Sequence, residues 1–136
     1  MSVSTASSTA IDSVRAGFEA FASGDPARFA AMFTPDATWN HRNDDRFQGV
    51  HRGVADIMSF LGESAELTAG TLRAEPLVMT ADEDCHVSVV VRLSGTRPDG
   101  RSIVDQQILY FVLDQDLVKS VDQYIGDPTG IKAFWA

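Results

Sequence analysis

Apolar residues recur at helical spacing through the first half of this chain and alternate with polar ones through the second. Thr9-Ala-Ile-Asp12 has the form of a capping box, and Ile11, Val14, Phe18 and Phe21 follow at the three-and-four spacing of a core-facing helix. Gly24 stops this helix. Asp25-Pro26 opens a second, with Asp as N-cap and Pro at the first helical position, where its missing N–H costs nothing. Phe29, Met32 and Phe33 form the apolar stripe of that helix, and Pro35 ends it. Residues 36–41 are too short and too β-prone for further helix and predict a strand; 42–52, polar and containing Gly49, predict a loop. Val54, Ile57, Met58 and Leu61 mark a third helix closing near Gly62.

After Gly70 the period changes to two. Residues 72–80, 86–94, 102–113 and 117–125 are rich in Val, Ile, Leu and aromatics, and short Asp/Gly/Pro-containing turns separate them at hairpin spacing. Asp127-Pro128 suits the start of a short terminal helix. Helices followed by an antiparallel meander predict an α+β fold, a curved antiparallel sheet with three N-terminal helices covering one face. Residues 1–9 read as a flexible tail and 10–136 as a single domain.

Composition narrows the partners. A chain of 136 residues with 44% apolar content buries a real core, and no apolar run approaches the roughly 20 residues of a membrane span. The net charge of −8 and the scattered arginines argue against nucleic acid and other highly anionic partners. No secretory pattern is present, and the lone Cys85 forms no internal disulfide, so cytoplasmic residence is expected. His41, His51 and His86 with Asp44 or Asp45 match no compact metal-ligand spacing. No metal and no cofactor are expected. An apolar small molecule is.

The Gly-Asp-Pro joint between two helices, Pro35-Asp-Ala-Thr-Trp39 opening the first strand and His51-Arg-Gly-Val54 before the third helix resemble the SnoaL-like branch of the nuclear transport factor 2-like superfamily. The resemblance runs from Ile11 to Ala133 and implies a cone-shaped α+β domain, one apolar pocket and a homodimer formed through the outer sheet face. It carries the general base of the ketosteroid isomerases onto His41. Their oxyanion-hole tyrosine falls on Gly17 and their protonated acid on Ile108, so that chemistry is disfavoured. One aspartate of the epoxide hydrolases falls on Gln123.

Alternation leaves two registers for the late strands, because a slip of one residue exchanges every side chain between faces. The family register turns Val87, Val89 and Val91 inward together with Val104, Gln106, Ile108, Tyr110 and Val112, and with Val121, Gln123 and Ile125. The other register brings Asp105 and Asp122 inward as a carboxylate pair, in which one pKa rises and an acid and a base arise from identical groups. Under the first register His41 is the candidate catalytic residue. Gln106, Tyr110, Gln123, Trp39, Phe18, Val89 and Ile108 are the candidate substrate contacts, with the amides and the phenol holding a carbonyl or hydroxyl. The expected activity is cofactor-independent isomerisation, cyclisation or dehydration of an apolar or polycyclic, polyketide- or terpenoid-like substrate by proton transfer. One alternative is a non-catalytic ligand-binding or accessory protein with the same pocket. The other is epoxide-hydrolase-like water activation by Asp105 and Asp122.

Overall fold

A computed structural model of the chain describes residues 5–136, with side chains from Thr9 onward. The elements run α1 (Thr5–Ala22), α2 (Pro26–Ala30), β1 (Phe33–Arg42), β2 (Gly49–Arg52), α3 (Gly53–Leu67), β3 (Arg73–Ala81), β4 (His86–Thr96), β5 (Ser102–Asp114), β6 (Leu117–Tyr124) and α4 (Pro128–Trp135). The strands form one six-stranded sheet in the order β2-β1-β6-β5-β4-β3. All neighbours are antiparallel except β1 and β6, which are parallel, so the curved sheet is mixed. α1 lies over β3 and β4, and α3 over β1.

Each helix end has a local cause. Gly24, at φ +68°, ends α1 and lets the Asp25 amide return to the Ala20 carbonyl at 3.1 Å. The Asp25 carboxylate then accepts from the Arg28 amide at 3.1 Å, with Pro26 at the first helical position. Asp127 repeats the device for α4, accepting from the Gly130 amide at 3.0 Å. At the other end of α4, Arg97 and Arg101 of the β4–β5 turn donate to the carbonyls of Phe134 (3.0 Å) and Ala133 (2.9 Å). That clamp seats Ile131, Phe134 and Trp135 in the core.

Several boundaries differ from expectation. α1 starts at Thr5, so Thr9 sits inside the helix; the first four residues of the expected tail lie outside the described residues. β1 begins at Phe33 and carries Pro35 where its register with β6 shifts between Phe33 and Thr38, a place where a missing N–H is tolerated. Part of the expected loop is strand β2, paired with β1 through Trp39 opposite His51. α3 continues past the exposed Gly62 to Leu67, and Ala69 and Gly70, both at positive φ, turn the chain after it. Helices α1 and α2 precede β1, α3 follows β2, and α4 closes the domain. Among the described residues no helix is long and apolar enough to cross a membrane.

Because α4 carries Trp135 into the interior, its cap has global leverage. Asp127→Ala should lower the unfolding free energy by about 1 kcal/mol, as other N-cap truncations do. Urea denaturation with an unchanged m-value would register this.

Candidate functional site

The inner face of the sheet and the helices enclose a cavity of about 80 Å³. Aromatic rings make much of its wall, among them Phe18, Phe29, Phe33, Phe60, Phe111 and Trp135. Phe60 of α3 is the hub: His51 stacks on it with centroids 4.3 Å apart, and Trp39, His41 and Phe47 approach it edge-on at 5.9, 5.7 and 5.1 Å. Gly17 also faces the cavity, and a Cβ there would overlap the Met32 thioether, so Met32 fills the space a side chain at 17 would need. A groove of about 460 Å³ between α1 and β3 shares Phe18, Phe21, Leu72 and Ala74 with the cavity, and Arg15, Glu19, Arg73 and Glu75 line it as well.

A chain of polar side chains runs through this apolar box. The parallel pairing of β1 with β6 sets His41 beside Gln123, and Gln107 of β5 completes the polar floor. The Trp39 indole N–H donates to Gln123 Oε1 at 3.0 Å; an indole only donates, so the orientation of that amide is fixed. Gln123 Nε2 then donates to Gln107 Oε1 at 2.8 Å, and Gln107 Nε2 to Asp105 Oδ2 at 3.0 Å. The Gly126 amide caps the same Asp105 oxygen at 3.2 Å. His41 Nδ1 lies 2.9 Å from Gln123 Oε1 and therefore carries a hydrogen, which it donates.

The other ring nitrogen of His41 meets Asp45. Nε2 stands 2.8 Å from Asp45 Oδ2, and the two side chains are 2% and 1% exposed. Burial raises the Asp45 pKa, but hydrogen bonds from His41, Asn43 and the Phe47 amide outweigh it and hold the carboxyl below its usual 3.8. Asn43 Nδ2 reaches Oδ2 at 2.9 Å and the Phe47 N–H reaches Oδ1 at 2.8 Å. With Oδ2 also accepting from Asn43 and Oδ1 from Phe47, the carboxylate is the acceptor of the pair and His41 Nε2 the donor. Among the described residues no buried side-chain polar atom lacks a partner.

The structure brings His41, Phe18, Trp39 and Gln123 together on the cavity wall. Val89 is buried on the inner face but does not border the cavity. Gln106, Ile108 and Tyr110 are corrected: they lie on the outer face, Ile108 at 46% exposure and Tyr110 beside His86, with ring centroids 5.6 Å apart. The reason is register. Val87, Val89 and Val91 pair directly with Phe111, Leu109 and Gln107, and directly opposed residues share a face. An inward Val89 therefore requires the odd-numbered set of β5 inside. Asp105 accordingly points in, but Asp122 points out and accepts from Arg42 at 2.8 Å, so the expected carboxylate pair does not assemble.

Sequence reasoning missed Gln107 and Asp45, and weighed Asp105 only in the alternative register. Gln107 and Asp105 were readable as the alternative phase of β5. For Asp45, the signal was the run His41-x-Asn43-x-Asp45-x-Phe47, in which Asn and Asp after a strand end suit side-chain-capped turns.

Fold and site define a small α+β protein whose curved sheet wraps an aromatic cavity with a polar floor. A SnoaL-like domain matches residues 14–121, and the chain belongs to that family. It is similar to an uncharacterised protein of Mycobacterium tuberculosis, 28% identical over 126 residues covering 93% of this chain and 95% of that one. Bal32a, from a soil-derived mobile gene cassette, superposes with a TM-score of 0.93 at 24% identity over 97% of this chain and all of its own. A protein from Jannaschia sp. CCS1, named as a candidate SnoaL-like polyketide cyclase, gives 0.82 at 17% identity over 99% and 96%.

The depressed carboxyl of Asp45 has a definite acid signature. Its stabilising contribution is present above the unfolded value of 3.8 and is lost as pH falls through the lower folded value. Asp45→Asn should therefore be less stable than the parent near neutral pH, and the gap should narrow on acidification below about 4. Urea unfolding at a series of pH values measures both limbs.

Proposed function

We propose that this chain is a cofactor-independent enzyme that isomerises, cyclises or dehydrates an apolar, ring-containing substrate of polyketide- or terpenoid-like character by proton transfer at the cavity floor. One observation carries the reading: a carboxylate and an imidazole, almost wholly buried and hydrogen-bonded to each other, end in amides that line an aromatic cavity. A protein that only sequestered a greasy ligand gains nothing from taking charges out of water, which costs several kcal/mol per ion before pairing offsets it. A proton-transfer site does, because it needs a titratable group held dry beside the reacting atoms. His41, backed by Asp45, is the group we assign to the proton, as the general acid that supplies it. Gln123 and Gln107 orient the substrate, and Phe18 and Trp39 pack against its ring. Membership of the SnoaL-like family supports this reading.

The second reading, a ligand-binding or accessory protein, is favoured by the completeness of the hydrogen-bond network: among the described residues every buried side-chain polar atom has a partner. Deuterium uptake from solvent at the α carbon of a ring ketone such as 1-indanone separates the two. Under the first reading exchange exceeds the buffer rate, and His41→Gln reduces it roughly 10²–10⁴-fold, the worth of one positioned acid–base group. A folded protein that binds the ketone with no exchange above buffer leaves only the second reading.

We propose further that the chain acts in the cytoplasm as a homodimer joined through the outer sheet face. Val104, Val78 and Ile108 are 71%, 54% and 46% exposed there, more bulk apolar surface than scattered single residues explain. Val104→Asp combined with Ile108→Asp should convert a dimeric mass to a monomeric one in light scattering after gel filtration, with the secondary structure retained.

A further inference from the structure

The hydrogen bonds of the floor all point one way. His41 and Trp39 donate to Gln123, Gln123 donates to Gln107, and Gln107 donates to Asp105. Gln123 Oε1 therefore already accepts twice, and neither His41 nitrogen keeps a lone pair, because Asp45 accepts at the other side of the ring. What remains unspent at the cavity wall is N–H: an amide carries two, and the bonds above use one on Gln123 and one on Gln107. The general base expected at His41 has become a donor, and the reason is Asp45.

We propose that Asp45 is a positioning residue that fixes His41 as a hydrogen-bond donor, and that the floor it creates selects ligands whose buried end is an electron-rich oxygen, a ring ketone, enolate or phenolate. The inference rests on the cavity reading above. Asp45 never touches the ligand: it lies behind His41, held by Asn43 and by the Phe47 amide in the β1–β2 loop. Its effect passes through the imidazole to Gln123. A donor on Oε1 that is itself backed by a carboxylate polarises the amide and strengthens the N–H bonds at its other end, and the dry aromatic surroundings keep that effect from being screened. Among the described residues no other charged side chain forms a hydrogen bond or ion pair with His41. Its aromatic neighbours are Phe60 of α3 and Phe47 of the loop, His51 of β2 stacks on the same Phe60, and Asp105 lies two amides away.

The test uses two single-ring probes of nearly equal shape, nitrobenzene and 4-nitrophenol, the second changing its absorbance on ionisation. Nitrobenzene reports the cavity alone. In the parent protein the phenolate form should bind at least about tenfold more tightly than the phenol, the margin of a charge-assisted over a neutral hydrogen bond, so the bound dye ionises at lower pH than the free dye. Asp45→Asn, which keeps the shape and removes the charge, should reduce that preference to near onefold while nitrobenzene affinity stays unchanged. Asp45→Glu should restore part of it. Ring-nitrogen NMR of the parent protein, which needs no variant to fold, should show a hydrogen on both nitrogens of His41. Nitrobenzene binding with no phenolate preference in the parent overturns the inference, as does a preference that survives Asp45→Asn, or a ring nitrogen of His41 without its hydrogen. Failure of both probes to bind the folded protein overturns the cavity reading itself, and the inference with it.

Discussion

The double acceptance at Gln123 Oε1 is the bond on which the rest of this site depends. Two strands far apart in the chain, β1 and β6, lie side by side in parallel, and that pairing alone brings Trp39 and His41 to the same amide oxygen. Because an indole nitrogen can only donate, Trp39 removes the freedom of the amide to flip. Every later assignment follows in order: which atom of Gln123 faces Gln107, which faces His41, and which His41 nitrogen is left for Asp45. One apolar-looking tryptophan thus fixes the direction in which Gln123, Gln107 and His41 donate.

A polar chain of this kind is costly unless complete. An unpartnered buried amide or carboxylate loses on the order of 1–3 kcal/mol or more, and pairing only returns what desolvation took. Here each link is between 2.8 and 3.2 Å, and Asp45 alone gathers donors from His41, Asn43 and Phe47. The aromatic wall contributes in the opposite sense. Phe47 packs on Phe60 and on Trp135 at 5.1 and 5.0 Å, so the loop that carries Asp45 is pinned to both α3 and α4. Asn43 and Lys132 reinforce that tie through Pro128 and Asp44. The stability of the fold and the geometry of the floor are therefore one problem, solved where the β1–β2 loop meets the terminal helix.

Much of this was legible in the chain and some was not, for physical reasons. The Gly-Asp-Pro joint, the helical stripe of Val14 and Phe18 and the strand ending at His41 announce themselves through φ preferences and periodicity, which are local. His41 and Gln123 followed from the resemblance, and with Trp39 and Phe18 they lie where the cavity is. The phase of β5 did not, because Val104, Ile108 and Val112 on one face are as apolar as Leu109, Phe111 and Leu113 on the other, and only the pairing with Val89 and Val91 decides. The parallel β1–β6 contact is equally nonlocal. Asp45 was hidden for a different reason: a carboxylate in a polar loop looks solvated until the loop is seen folded back against a histidine.

The same logic explains why membership of the family predicts the container better than its chemistry. The helix joints and the alternation of the sheet are set by backbone preferences that many sequences satisfy, so the curved sheet and its apolar interior recur. The floor is set by a few side chains whose roles are mutually conditional. An amide at Gln123 works only with a donor at Trp39, His41 becomes a donor only with an acceptor at Asp45, and Gln107 is satisfied only if Asp105 receives it. Changing one of them changes what the others can offer a ligand, while the surrounding rings still close the cavity. A pocket assembled in this way keeps its shape through substitution and loses or exchanges its polarity as a unit, so the identity of the polar chain, and not the fold, is the quantity that distinguishes one such protein from the next.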